Sequence, residues 1–183
     1  MSHFESLNPR NGEIVATHEI FTKEAVNGAV KLAAESFDKW NALGYGKRKL
    51  VLLSWKREIV ARSEDFAQLI SLETGKPIGD ARLEVSIAIA HLSWAAKKAG
   101  FYLKEHQRRP GLLMFNMQAE VHRIPFGVVG VIGPWNYPLF TPMGSIAYAL
   151  AAGNAVVFKP SEFTPGVGKM LADSFSKVSK NSN

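Results

Sequence analysis

The sequence predicts an α/β fold, in which a mainly helical first part leads into the start of a doubly wound parallel sheet. Residues 128–132 and 155–158 are short apolar runs of strand type. The first runs into Gly133-Pro134 and the second into Lys159-Pro160-Ser161-Glu162, both turn-forming clusters. Residues 139–152 between them are long enough for the crossover helix that parallel pairing requires. Helical periodicity dominates the residues before them. Parallel pairing puts both clusters at the carboxyl ends of neighbouring strands, where open α/β sheets bind ligands.

Taken in order, residues 13–20 alternate imperfectly and read as a strand. Thr22 is placed to cap a helix from 23 to about 40, with Ala25, Val26, Ala29, Leu32, Ala33 and Phe37 on one face. A second helix covers 47 to about 62. Ser63 is placed to cap a third, through 72, which Thr74-Gly75-Lys76-Pro77 ends. The fourth is long, 79 to about 105, with Val85, Ile89, Leu92, Ala96 and Ala99 on its apolar stripe. Arg108-Arg109-Pro110-Gly111 breaks it, and residues 117–124 then read as extended. Thr164-Pro165 reads as the cap and first turn of a last helix, 165–178. The polar tail 176–183 reads as frayed.

A hydrophobic share of 46% with 11 Phe and 4 Trp is ample for a packed core in a chain of 183 residues, which excludes a disordered protein. The absence of cysteine excludes disulfides, thiolate metal sites and a cysteine nucleophile within these residues. No apolar run reaches membrane-spanning length, and the first residues lack the basic-then-apolar order of a leader. The expectation is a cytoplasmic protein with no membrane partner.

The net charge of +6 also suits a nucleic-acid binder. The basic residues are spread instead over two helical stretches, Lys47, Arg48, Lys49, Lys56 and Arg57 in one, Lys97, Lys98, Lys104, Arg108 and Arg109 in the other. With no aromatic stacking platform or reader motif beside them they read as solvated faces, and no nucleic-acid partner is expected. Gly127, Gly130 and Gly133 are spaced G-x-x-G-x-x-G, which is not the dinucleotide fingerprint, and no P-loop is present. The five histidines, at 3, 18, 91, 106 and 122, show no metal-ligand spacing.

The segments GVVGVIGPWNYP (127–138) and ALAAGNAVVFKPSE (149–162), followed by Thr164-Pro165, resemble the opening of the cofactor-binding domain of the NAD(P)-dependent aldehyde dehydrogenases. Asn8-Pro9 with Gly12-Glu13 is similar to the family's N-terminal turn, and LISLETGKP (69–77) to its helix end before the long helix. The resemblance runs from about residue 7 to about 178, yet accounts for less than half of a typical member. It implies the Rossmann-like fold of that family, truncated. The expected parts are a mainly helical region at 1–116, an extended segment resembling the oligomerisation arm at 117–125, and the first βαβα unit of the dinucleotide-binding sheet at 126–183. On its own residues the extended segment is equally an edge strand of the same molecule.

Two sites follow. Asn136 sits in Pro134-Trp135-Asn136-Tyr137-Pro138, where proline restricts both itself and its predecessor, so the amide is rigidly held. Such an amide makes a good oxyanion donor. Asn136 matches the asparagine that supplies a side-chain N–H to the developing alkoxide in aldehyde dehydrogenases; an Asx-turn residue is the alternative. Gly133, Pro134 and Trp135 are either cofactor-facing or simple packing. Lys159 emerges directly from a buried strand and can donate to ribose hydroxyls, and Glu162 can accept from the same ribose. That acid favours NAD, while Ser161 with Lys159 leaves NADP possible, Pro160 lying between them. A surface ion pair with an N-cap is the alternative for this cluster. The resemblance further implies an aldehyde substrate, a dinucleotide and a homo-oligomer for the complete protein. Its nucleophilic cysteine and general-base glutamate have no counterpart in these residues, so this chain alone is expected to be inactive. A non-catalytic nucleotide-binding or subunit-contact module is the other reading.

Overall fold

The computed structural model of the chain describes residues 2–180. Its elements run β1 (His3–Leu7), β2 (Ile14–Glu19), α1 (Lys23–Ala42), α2 (Gly44–Ala61), α3 (Ser63–Thr74), α4 (Ile78–Leu103), β3 (His106–Arg108), a 3-10 turn (Leu112–Met114), β4 (Ala119–Val121), β5 (Val128–Ile132), α5 (Phe140–Ala152), β6 (Ala155–Lys159) and α6 (Pro165–Lys180). Among the described residues three strand pairs form: β1 with β2 and β3 with β4 are antiparallel, and β5 with β6 is parallel.

The parallel pair forms as the sequence predicts, with α5 as its crossover helix. Val128 faces Ala155 at one end and Ile132 faces Lys159 at the other, so both strands stop at the same level. One contiguous cluster packs beneath. Leu52, Trp55 and Ile59 of α2, Phe66 and Ile70 of α3, and Val85, Ala88 and Leu92 of α4 meet Met143 and Ala147 of α5 and Val167 and Leu171 of α6. The helical first part therefore does not stand apart from the sheet unit. Trp55 seals the joint, its indole N–H donating to the Ser174 hydroxyl at 2.7 Å.

Several local rules hold. The Thr22 hydroxyl accepts from Ala25 N–H at 3.2 Å and caps α1. Gly75 ends α3 at φ 74°, a left-handed turn that costs a residue with Cβ about 1–2 kcal/mol. Val85, Leu92 and Ala96 are buried on α4 as its stripe requires.

Other readings are corrected. Ser63 is the first residue of α3, and neither it nor Arg62 makes a side-chain cap bond. On α1 only Ala33, Phe37, Trp40 and Asn41, towards its carboxyl end, are half-buried, while Ala25, Val26, Ala29 and Leu32 stay exposed because nothing among the described residues lies against them. Arg48, read as part of a solvated face, is 3% exposed. Its guanidinium donates to Asn41 O at 2.8 Å and to Ala151 O at 3.3 Å, which satisfies terminal carbonyls of α1 and α5 at once. The extended segment shrinks to β4, which pairs with residues 106–108 of the same molecule. Residues 176–180 continue α6 rather than fray, and 181–183 lie outside the described residues.

Candidate functional site

The two predicted clusters lie side by side because their strands end in register. Gly133 N–H donates to Lys159 O at 2.9 Å, extending the pairing one residue past β5. Beyond it the chain turns through Pro134, half-buried, and Trp135, Asn136 and Tyr137, all exposed, before Pro138 and Leu139 re-enter the core. The side-chain amide of Asn136 has no partner among the described residues, whereas its carbonyl accepts from Lys76 Nζ at 2.7 Å. An unpaired amide on a tethered backbone suits a donor better than an Asx turn, which would consume the side-chain oxygen.

On the other strand, Lys159 Nζ and Glu162 Oε2 are 3.2 Å apart, both largely exposed. The Glu162 pKa is lowered, first by a hydrogen bond from its own backbone N–H and then by Lys159, so it is ionised at neutral pH. Ser161 is buried, and its hydroxyl accepts from Phe163 N–H at 3.3 Å, shaping the turn. Pro160 packs on the first turn of α6. A Cβ at Gly168 would come within 2.4 Å of the Pro160 ring, so only glycine allows this approach. Lys159, Ser161 and Glu162 form one polar cluster, joined through Gly133 to the first turn; no described contact joins them to the Asn136 side chain.

Two functional residues escape the sequence reading. Glu84 of α4 is 1% exposed; its Oε1 accepts from Leu139 N–H at 2.9 Å and from Phe140 N–H at 3.1 Å, capping α5 from another element. Glu73 of α3 is 3% exposed and accepts from Gly166 N–H at 2.9 Å and Val167 N–H at 3.0 Å, capping α6. This corrects the reading of Thr164 as the cap: its buried hydroxyl has no partner among the described residues. The available signal was position. Glu73 continues the spacing of Phe66 and Ile70, and Glu84 sits between Ala81 and Val85 and Ala88, so each carboxylate occupies a core stripe where an unpaired acid would not survive.

These caps decide what the site can hold. A free helix N-terminus would invite phosphate. Both are occupied by carboxylates, so the exposed groups left at this edge are the Lys159 ammonium, the Glu162 carboxylate and the Asn136 amide, which suit hydroxyls and a developing oxyanion. Among the described residues no group of side chains could hold a metal ion, and no helix is long and apolar enough to cross a membrane.

Glu73→Ala is expected to destabilise the protein by about 2–4 kcal/mol, because two buried N–H groups lose their acceptor; the urea midpoint measures it. Burial raises the Glu73 pKa despite opposing bonds from Val167 and Gly166. A carboxyl whose pKa is raised on folding binds more protons when folded, so its contribution falls as pH climbs from about 4.5 through the raised value. Glu73→Gln should remove that slope from the pH dependence of the midpoint.

The aldehyde dehydrogenase family model matches residues 1–181. A malonate-semialdehyde dehydrogenase of Listeria monocytogenes serotype 4a (strain HCC23) is 32% identical over 172 residues, 94% of this chain and 35% of its own length. PnpE of Pseudomonas sp. WBC-3, also solved with nicotinamide adenine dinucleotide, superposes with a TM-score of 0.89 at 33% identity, over 97% of this chain and 36% of its own. Glyceraldehyde-3-phosphate dehydrogenase GapN of Methanocaldococcus jannaschii DSM 2661, complexed with NADP, superposes with a TM-score of 0.90 at 28% identity, over 98% of this chain and 38% of its own. The chain thus spans about a third of the length of the curated relatives it matches. With the parallel pair, the two turns and the matched length in agreement, this chain belongs to the aldehyde dehydrogenase family.

Proposed function

We infer that the chain corresponds to the amino-terminal portion of an NAD(P)-dependent aldehyde dehydrogenase, active in oxidising an aldehyde to a carboxylic acid when a cysteine-bearing remainder is present. The observation that carries this is the pair of turns held level by the Ile132–Lys159 register in a member of that family. Gly133, Pro134 and Trp135 form the wall on one side of the cofactor groove. Lys159 donates to the ribose hydroxyls and Glu162 accepts from them, with Pro160 and Ser161 holding the turn. Bound there, the dinucleotide supplies the hydride acceptor. Asn136 donates its side-chain N–H to the oxygen on which charge develops, a contact whose loss costs about 10² to 10³ in turnover. The ionised Glu162 favours a free 2′-hydroxyl and hence NAD, though related structures hold either dinucleotide. The β3–β4 hairpin, with the extended segment 117–125, serves as the arm for a homo-oligomer of the complete protein.

The absence of cysteine favours a second reading, a non-catalytic nucleotide-binding or subunit-contact module. An adjacent reading frame encoding the cysteine-bearing remainder decides against it.

Titrating isotope-labelled protein with NAD should shift the amide resonances of Gly133, Lys159 and Glu162. In a protein completed with the rest of a family member, Asn136→Ala should lower kcat by about 10² to 10³ and leave cofactor KM nearly unchanged. Lys159→Ala should chiefly raise that KM. Equal effects of both substitutions on both parameters would refute these roles.

A further inference from the structure

The Asn136 turn is exposed, yet its backbone is held from below. Lys76, in the link between α3 and α4, is 15% exposed at its side chain and points its ammonium into the turn. Nζ lies 2.5 Å from Glu84 Oε2, 2.7 Å from Asn136 O, and 4.3 Å from the centre of the Tyr137 ring. Glu84 is fully buried at its side chain and spends its other oxygen on Leu139 and Phe140 N–H. One ion pair therefore grips both ends of the segment 136–140. Its bonds are charge-assisted, and the Lys76–Glu84 pair behind them lies largely out of water, so a well-held ammonium meets the exposed Asn136 carbonyl. A buried pair of this kind adds little stability over an apolar replacement, so its contribution lies in orientation.

We propose that Lys76 is a positioning residue for Asn136, with Glu84 as the buried anchor that fixes Lys76. The proposal rests on Asn136 being the oxyanion donor. A side-chain N–H can meet a developing charge at hydrogen-bond distance only if the carbonyl of the same residue stays put, and Lys76 is the group that holds that carbonyl.

The test is NMR relaxation on the 183-residue chain, diluted until sedimentation shows a monomer, comparing the wild type with the Lys76→Met/Glu84→Gln double variant. That variant leaves no unpaired buried charge, and glutamine still accepts from Leu139 and Phe140. The order parameter of the Asn136 backbone amide is expected to fall from the rigid range, about 0.85, to below about 0.6, with Leu92 in α4 unchanged. An unchanged Asn136, or an equal fall at Leu92, overturns the proposal, since the pair would then be inert or merely structural. Lys76→Gln carries the same readout should the double variant fail to fold. No turnover is involved. Increased motion at Asn136 in these variants, together with an Asn136→Ala enzyme of full kcat, would retain the positioning and remove the oxyanion role.

Discussion

Purified 183-residue chain, mixed with an aldehyde and NAD, will form no NADH above the rate of a protein-free blank. The inferred reaction begins with a thiolate adding to the carbonyl, and the chain contains no cysteine. The other groups at the site do not replace it. The Ser161 hydroxyl is buried and shapes its own turn, Lys159 is paired with Glu162, and the Asn136 amide is not a nucleophile. The expected loss is complete, because the inferred reaction passes through a covalent adduct that only the missing thiolate forms. Continuous recording of NADH absorbance decides it. Sustained turnover that follows the protein through purification and disappears in Asn136→Ala would overturn the claim.

The second large effect concerns association. Among the described residues β5 and β6 form a sheet of two strands, so each keeps one edge unpaired there, a template for further strand addition. Large apolar side chains lie open beside this unit and along the hairpin: Ile132 is 81% exposed, Phe126 97%, Leu113 94% and Leu112 90%. On α1, Val26 and Leu32 add to the exposed apolar surface. Together these exceed the scattered exposure ordinary in a soluble monomer. The isolated chain is expected to self-associate, with a sedimentation coefficient that rises with concentration, and to unfold on heating in more than one step. A concentration-independent monomer that melts in a single transition including both strands would contradict this and favour the non-catalytic module.

The legible parts of the sequence were those governed by local rules. A strand running into Gly133-Pro134, a cap at Thr22 and a left-handed stop at Gly75 each depend on a few adjacent residues, and each forms as read. β1 was missed because His3–Leu7 buries only Ser6 and becomes a strand through pairing with β2. β3 was missed because three polar residues, His106–Arg108, carry no period at all. The candidate site was half visible. Asn136, Lys159 and Glu162 announce themselves by standing at strand ends, whereas Lys76, Glu73 and Glu84 lie in helices or between them, where charge is ordinarily solvated. The backbone groups they hold are 55 to 94 residues away, beyond the reach of any local pattern.

That separation has a kinetic meaning. Most helices are closed at their N-termini by a side chain a few residues away, so the cap forms along with the first turn. The caps of α5 and α6 come from Glu84 and Glu73, which precede them by 55 and 93 residues. Closing such long loops must wait until α3 and α4 have packed, since the entropic cost of the loop is met only by the contacts made after closure. During synthesis the two glutamates leave the ribosome before the helices they cap, and α3 and α4 can pair first and present both carboxylates as a preformed mould. The two turns at the strand ends are thus expected to take their final shape last, set by a scaffold that can already be in place when their own residues emerge.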